Sequence, residues 1–322
     1  MAKIFYFNII KFVLLYMEYK LDFSNINIDR TLPKISITEV LNALEHSFDQ
    51  QGVAQKTHDK HFNNPNSPYY QKTIPEIIEM WEAKGKDSCN YGSKLDNYIG
   101  AILTGNENDI KLFKLNNSYD YDERLRGLCD SFDNFYKLVM KSGDMEFVDR
   151  ERDVYLKVSV ENPIDNSQIE YYVKGRFDAL FYNKRTKKWV VIDWKSSGSI
   201  DKVPTKWTDK FLGPMFKWPE LNYYRYTNQL HFYKRALLEN YLPKDTKEDD
   251  VVVMIVNLPG KIIQESGQNY MTHLAGMSYD SNLLDNIFKF AIAKKLLETP
   301  KQEETKQEEQ IVEQSDNVEN LF

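Results

Sequence analysis

A mixed α/β fold, with a central mixed β-sheet flanked by helices, is what the sequence predicts, on three observations. Helical periodicity dominates the first 140 residues, as in SITEVLNALEHSF from Ser36 and PEIIEMWEAK from Pro75. The period then changes to alternation, in VYLKVSV from Val154 and in the strongly β-prone WVVIDWK from Trp189. A helix pattern, an apolar strand and a further helix pattern follow, so helices and strands share one domain.

In chain order, the opening MAKIFYFNIIKFVLLY is apolar, but Lys11 interrupts it and no small-residue cleavage site follows. It is short for a membrane span, so a docked segment, or residues upstream of a start at Met17, is expected rather than an anchor. Ser36 is a plausible N-cap for a helix reaching Phe48. A polar loop is expected from Gln50 to Tyr70, then a helix from Pro75 to Lys84 with proline in its first turn. A second helix starts near Gly92 and carries Leu95, Tyr98, Ile99 and Ile102, and another runs from Tyr121 to Met140. Val154–Val160, Ile169–Val173, Phe177–Tyr182 and Trp189–Lys195 read as an antiparallel meander. A loop from Ser196 to Glu220 leads into a helix from Asn222 to Asn240, a strand from Val251 to Val256 and a helix from Ser281 to Leu297. The chain divides into an N-terminal helical elaboration (1–90), a core (91–297) and a Gln/Glu-rich acidic tail (298–322) expected to be disordered.

Charge and cysteine content narrow the chemistry. The formal charge of −6 resides in the tail; the first 297 residues hold 40 bases and 40 acids. Net charge therefore neither favours nor excludes a polyanionic partner. Cys89 and Cys129 are the only cysteines, which excludes a disulfide framework, a Cys-based zinc site and a four-Cys iron–sulfur cluster. They suit a reducing compartment, and a cytoplasmic location is expected. His58 and His61 lack a second pair of zinc ligands. No GxxxxGK[ST] loop, nucleophile elbow or GxGxxG fingerprint occurs.

The chemistry concentrates on one hairpin. Strands pairing symmetrically about NKRTKK set Tyr182 opposite Trp189 and Asp178 opposite Asp193, with Cβ atoms about 5 Å apart on one face. Lys195 lies two residues on and shares that face. Facing carboxylates repel unless a cation stands between them, and hard oxygen ligands suit Mg²⁺ or Mn²⁺. Without a metal the same residues make a solvated hairpin with incidental acids, yet a charge inside VVIDW is costly unless partnered.

Gly175-Arg176-Phe177-Asp178 followed by Ile192-Asp193-Trp194-Lys195 resembles the GxxD…(D/E)xK core of PD-(D/E)XK nucleases. Gln229-Leu230-His231-Phe232-Tyr233 resembles the QxxxY motif of their RecB-like exonuclease branch, including phage-encoded members. The resemblance implies a restriction-endonuclease-like core and DNA phosphodiester hydrolysis with Mg²⁺ or Mn²⁺. It implies Asp178, Asp193 and the Trp194 carbonyl as metal ligands, Lys195 as the catalytic lysine, and Gln229 and Tyr233 as residues that position substrate or support the centre. Tyr91-Gly92-Ser93-Lys94-Leu95-Asp96 resembles the branch's GTxxH stretch with Asp96 in place of its metal-binding histidine; alternatively, Asp96 is a carboxylate favoured by a helix N-terminus. Glu151 resembles a further acidic position.

Linear or single-stranded DNA ends are the implied substrate, with recombination or packaging proteins as partners. Lys202, Lys206, Lys210 and Lys217, interleaved with Trp207, Phe211, Phe216 and Trp218, read either as a strand-binding stretch or as a solvated loop with apolar anchors. Lys184, Arg185, Lys187 and Lys188 at the hairpin tip carry the same two readings. The rivals to an exonuclease are a catalytically silent nucleic-acid- or protein-binding relative and a site-specific endonuclease.

Overall fold

The computed structural model describes residues 21–23, 28–206, 208–261, 268–274 and 278–298. The apolar segment 1–16, Trp207 and the acidic tail beyond Glu298 lie outside the described residues. Six strands form one mixed sheet: β1 Lys34–Ser36, β2 Met145–Glu161, β3 Gln168–Asn183, β4 Lys188–Lys195, β5 Val251–Asn257 and β6 Met271–Leu274. Their order is β1-β3-β4-β5-β6, with β2 on the other edge of β3. β2, β3 and β4 make an antiparallel meander of three strands, because the two segments expected at Ile169–Val173 and Phe177–Tyr182 are one strand, β3; β4 and β5 run parallel. That parallel pair explains the unbroken apolar runs: β4 is buried on both faces from Trp189 to Trp194, and in β5 only Val252 and Met254 are half-buried.

Seven helices flank the sheet among the described residues: α1 Ile37–Asn42, α2 Gln50–His61, α3 Ile74–Leu103, α4 Glu107–Asn116, α5 Glu123–Met140, α6 Asn222–Asn240 and α7 at 281–298. Ser36 caps α1 in a capping box with Glu39, and the helix ends at Asn42 rather than near Phe48. Where a polar loop was expected, Asp49 caps α2, which buries only Ala54 and so carries little apolar periodicity. The two helices expected around Pro75–Lys84 and from Gly92 are one, α3, and the expected boundary near residue 90 falls inside it. Gly85 and Gly92 each cost about 1 kcal/mol relative to alanine in a helix. The Thr73–Glu76 capping box and the burial of Ile77 and of Leu95–Leu103 offset this. Helix α4, strand β1 and strand β6 have no counterpart in the sequence reading.

Two apolar layers sandwich the sheet. On one face Leu180, Tyr182, Trp189, Val191 and Ile255 pack with Leu230, Phe232, Tyr233 and Leu237 of α6 and Phe288 of α7. On the other, Ala179, Phe181, Val190, Ile192, Trp194 and Val256 pack with Leu95, Tyr98 and Ile99 of α3 and Phe132 and Phe135 of α5. Among the described residues no helix is long and apolar enough to cross a membrane.

Candidate active site

The site begins as an interruption of the sheet. Along one edge of β3, β1 pairs with Tyr172–Lys174 and β4 pairs with Ala179–Asn183. The four residues between, Gly175-Arg176-Phe177-Asp178, have no described strand partner on that edge. β1 runs parallel to β3 and β4 antiparallel, so their carboxyl ends approach this gap from opposite directions. Asp193, Trp194 and Lys195 are the last residues of β4, on the side where open α/β sheets bind ligands.

Register follows the symmetric pairing: Tyr182 faces Trp189, and the last ladder pair is Ala179 with Ile192. Asp178 and Asp193 are the next residues on each strand, just past the point where the ladder ends. Two positions back along the ladder, Leu180 and Val191 point into the α6 layer, and alternation carries Asp193 to that face. On β3, Gly175 and Phe177 also face α6, so alternation breaks at Asp178, which lines the cavity beside α3. The Trp194 N–H donates to Asp178 Oδ2 at 2.7 Å, replacing a ladder bond by a carboxylate contact. The carbonyl and N–H of a strand residue project to the same side, so the Trp194 carbonyl also faces the gap.

Asp193 is 1 % exposed. Its Oδ2 lies 2.7 Å from Lys195 Nζ, in an off-axis approach that leaves this buried oxygen without a well-formed hydrogen bond. Burial, and then the Asp193 charge, push the Asp178 carboxyl up to about 8. Burial disfavours the Lys195 ammonium, but Asp193 and Asp178 outweigh it and raise its pKa above the ordinary value. Lys195 also sits 4.5 Å from the centre of the Tyr226 ring, a cation–π contact that the sequence reading missed. Its signal was present: Tyr226 precedes Gln229 by three and Tyr233 by seven, on one stripe of α6.

Gln229 and Tyr233 meet across one helical turn, with Gln229 Nε2 donating to the Tyr233 hydroxyl at 2.7 Å. The Arg176 backbone also bonds the phenol, and burial followed by Asp193 raises its pKa. Tyr233 is buried and packs against β3, so it supports the centre from beneath. Gly175 is what allows the approach: a Cβ there would lie 2.6 Å from Phe232 Cε1 and 2.7 Å from Tyr233 Cε1.

Asp96, Asp178, Trp194, Lys195 and Ser196 line one cavity of about 470 Å³ between α3 and the end of β4. Asp193 lies a layer deeper, beneath Lys195. Asp96 is not free to turn inward, because both its carboxylate oxygens and its carbonyl accept from Arg150, at 3.2, 3.2 and 3.3 Å. Burial and a hydrogen bond with Glu151, opposed by Arg150, raise the Asp96 carboxyl to about 6. Glu151 pairs with Arg150 at 3.1 Å. Neighbours in a regular strand point to opposite faces, so this pairing requires a break. Glu151 supplies it, with φ at +47°, facing the position of Asp178 between the pairs Arg150–Ala179 and Arg152–Phe177.

Asp178, Asp193 and the Trp194 carbonyl are hard oxygen donors, and the incompletely bonded Asp193 Oδ2 fits a cation-binding role. Among the described residues no three His, Cys, Asp or Glu side chains are grouped closely enough to hold a metal ion alone. Two carboxylates with a carbonyl and water suit Mg²⁺, which keeps much of its hydration.

The other sequence candidates lie elsewhere. Phe211 is buried, Trp218 packs against the core and Lys210 bridges to Pro219, so much of the 196–220 stretch is anchored. Lys202 stacks on Tyr223, while Phe216 is exposed with Lys217 over its ring. At the hairpin tip Lys184 and Arg185 pair with Glu146 and Asp144. His58 bonds Asp59, and His61 packs against Tyr69. Compared with known proteins, the sequence matches no family model and no curated relative.

Proposed function

We propose that the chain is a metal-dependent deoxyribonuclease of the PD-(D/E)XK type, acting as an exonuclease on linear DNA. The observation that carries this reading is the convergence of Asp178, Asp193 and Lys195 at the gap in the β3 edge, beside an open cavity. Asp178, Asp193 and the Trp194 carbonyl would hold Mg²⁺ or Mn²⁺. Bound there, the ion would supply Lewis acidity for the phosphate and lower the pKa of a water.

The chain's own residues do the rest. The Trp194 N–H fixes the rotation of the Asp178 carboxylate. Lys195 is the cation that Asp193 faces, and the Tyr226 ring holds the same ammonium from the other side. Turned toward the cavity, Lys195 Nζ can orient an attacking water and neutralise charge growing on the phosphate. Gln229 and Tyr233 keep α6 seated under β3, which holds the two acids in register. The exonuclease assignment rests on the QxxxY resemblance. Genome processing or recombination in a cytoplasm, with recombination or packaging proteins as partners, rests on analogy with phage nucleases of that branch.

The test uses purified full-length chain with Mn²⁺ or Mg²⁺ on linear and on covalently closed circular DNA. Degradation of the linear form only, stopped by EDTA and by Lys195→Ala, is expected. Cleavage of the closed circle would make it an endonuclease. Absence of cleavage of either form would favour a silent binding relative, a reading that the engagement of Asp96 by Arg150 keeps in play.

A further inference from the structure

Behind Asp96, which lines the cavity beside Asp178, the chain holds a cation of its own, Arg150, which borders a neighbouring cavity with Asn97 and Gly100. Arg150 Nη2 reaches both carboxylate oxygens and the carbonyl of Asp96, and the same nitrogen lies 3.1 Å from Glu151 Oε2. Its side chain is 16 % exposed, and its Nε is buried without a partner. Helix α3 is notched to receive it, because a Cβ at Gly100 would collide with the Arg150 guanidinium. The left-handed backbone of Glu151 turns two consecutive side chains toward the same acid, at a conformational cost that a merely solvated pair would not require.

We propose that Arg150 is a positioning residue that serves as the built-in second cation of this site. It holds Asp96 and Glu151 where a second metal ion would otherwise sit, so the chain takes one divalent ion and not two. This rests on the metal-dependent reading given above. The charge balance agrees: Asp96, Glu151, Asp178 and Asp193 against Arg150 and Lys195 leave −2 with all six ionised, which a single divalent ion neutralises. Without Arg150 the site would carry −3, with two carboxylates released from their guanidinium. The distinction also gives Asp96 a role other than that of a ligand: it seats Arg150 on α3.

The test is calorimetric titration of the full chain with Mn²⁺, a readout independent of catalysis. The parent should bind one ion, Arg150→Lys one, and Arg150→Met two. Two ions in the parent, or one in a folded Arg150→Met variant, overturns the proposal. No binding in the parent would instead overturn the metal-dependent reading itself. Should Arg150→Met fail to fold, Asp96→Asn decides. Affinity within about threefold of the parent supports an acid that seats Arg150, whereas a loss beyond about 100-fold, more than outer-shell partners typically cause, marks a direct ligand and refutes the proposal; an intermediate loss counts against it unless Arg150→Lys shows the same loss.

Discussion

Replacing Asp178 with asparagine should make the metal-free protein more stable at pH 8. Burial and the Asp193 charge hold the Asp178 carboxyl at about 8, against 3.8 for an unperturbed aspartate. Between those values the unfolded chain releases a proton that the folded chain keeps. Stability therefore falls as pH rises through this window, and the deficit is complete above pH 8. A shift of that size corresponds to about 6 kcal/mol. Two unit charges roughly 5 Å apart at an effective dielectric of about 20 repel by about 3 kcal/mol, which is the smaller and safer figure. Lys195 and the Trp194 N–H return part of this, and asparagine keeps an acceptor for the N–H. The expected net gain is about 1–3 kcal/mol, within the range seen when buried charges are replaced by neutral groups. Thermal unfolding in EDTA and in Mn²⁺, at pH 5 and pH 8, reads it. In EDTA at pH 8 the variant should melt a few degrees above the parent, with the gap narrowing at pH 5. Mn²⁺ should raise the melting point of the parent much more than that of the variant, because only the parent keeps both ligands. A variant that melts below the parent in EDTA at pH 8, or gains as much from Mn²⁺, refutes the reasoning.

Lys195→Ala should lower turnover on linear DNA by about 10²–10⁴-fold while Mn²⁺ binding persists, since it removes a charge-stabilising group but no ligand. Equal turnover in single-turnover assays would remove Lys195 from the mechanism. Gly175→Ala should cost about 1–3 kcal/mol in urea unfolding, because its methyl would press on Phe232 and Tyr233; an unchanged midpoint would contradict the close approach of α6. Burial, then Lys234, push the His231 imidazole down to about 4 from 6.5. As pH falls through this interval the unfolded chain takes up the proton first, so the parent should lose about 3 kcal/mol of stability that His231→Leu does not lose. Parallel stability curves for the two proteins between pH 7 and pH 4 would contradict this.

Local signals made much of the fold legible. β-Branched runs located β4 and β5, the turn-like NKRTKK fixed the hairpin register, and α6 begins and ends where its periodicity does. Legibility failed where tertiary contacts overrode local preference. Gly85 and Gly92 looked like breaks, yet packing at both ends of α3 carries the helix through them. Strand β1 is three residues long and exists only because β3 offers it an edge. Around the site, the Tyr182–Trp189 register and the nearness of Asp193 to Lys195 were readable because period-two alternation ties residue number to face along β4, whereas on β3 alternation breaks at Asp178. Arg150 was not, because its direction depends on the left-handed turn at Glu151, and no alternation rule anticipates a positive φ at a glutamate. Within DRERD, a charged run reads as a solvated strand edge until a helix 54 residues upstream is laid across it.

The gap in the sheet and the acid pair are one feature. Had β1 and β4 met along β3, the Trp194 N–H would bond a backbone carbonyl and Asp178 would be a ladder residue. Because β4 stops pairing with β3 at Ile192, the next amide turns to a carboxylate instead and the next carbonyl faces an opening. Gly175, without a side chain, lets α6 close the floor of that opening, and Asp96 of α3 lines it from the other side. On the far side β5 holds β4 rigidly through Asn257, and the Leu258 N–H bonds the Lys195 carbonyl at 2.7 Å. The reactive end of β4 is therefore fixed on one side and open on the other. This is the arrangement that a carboxylate pair needs if it is to bind an ion from solvent without losing its register.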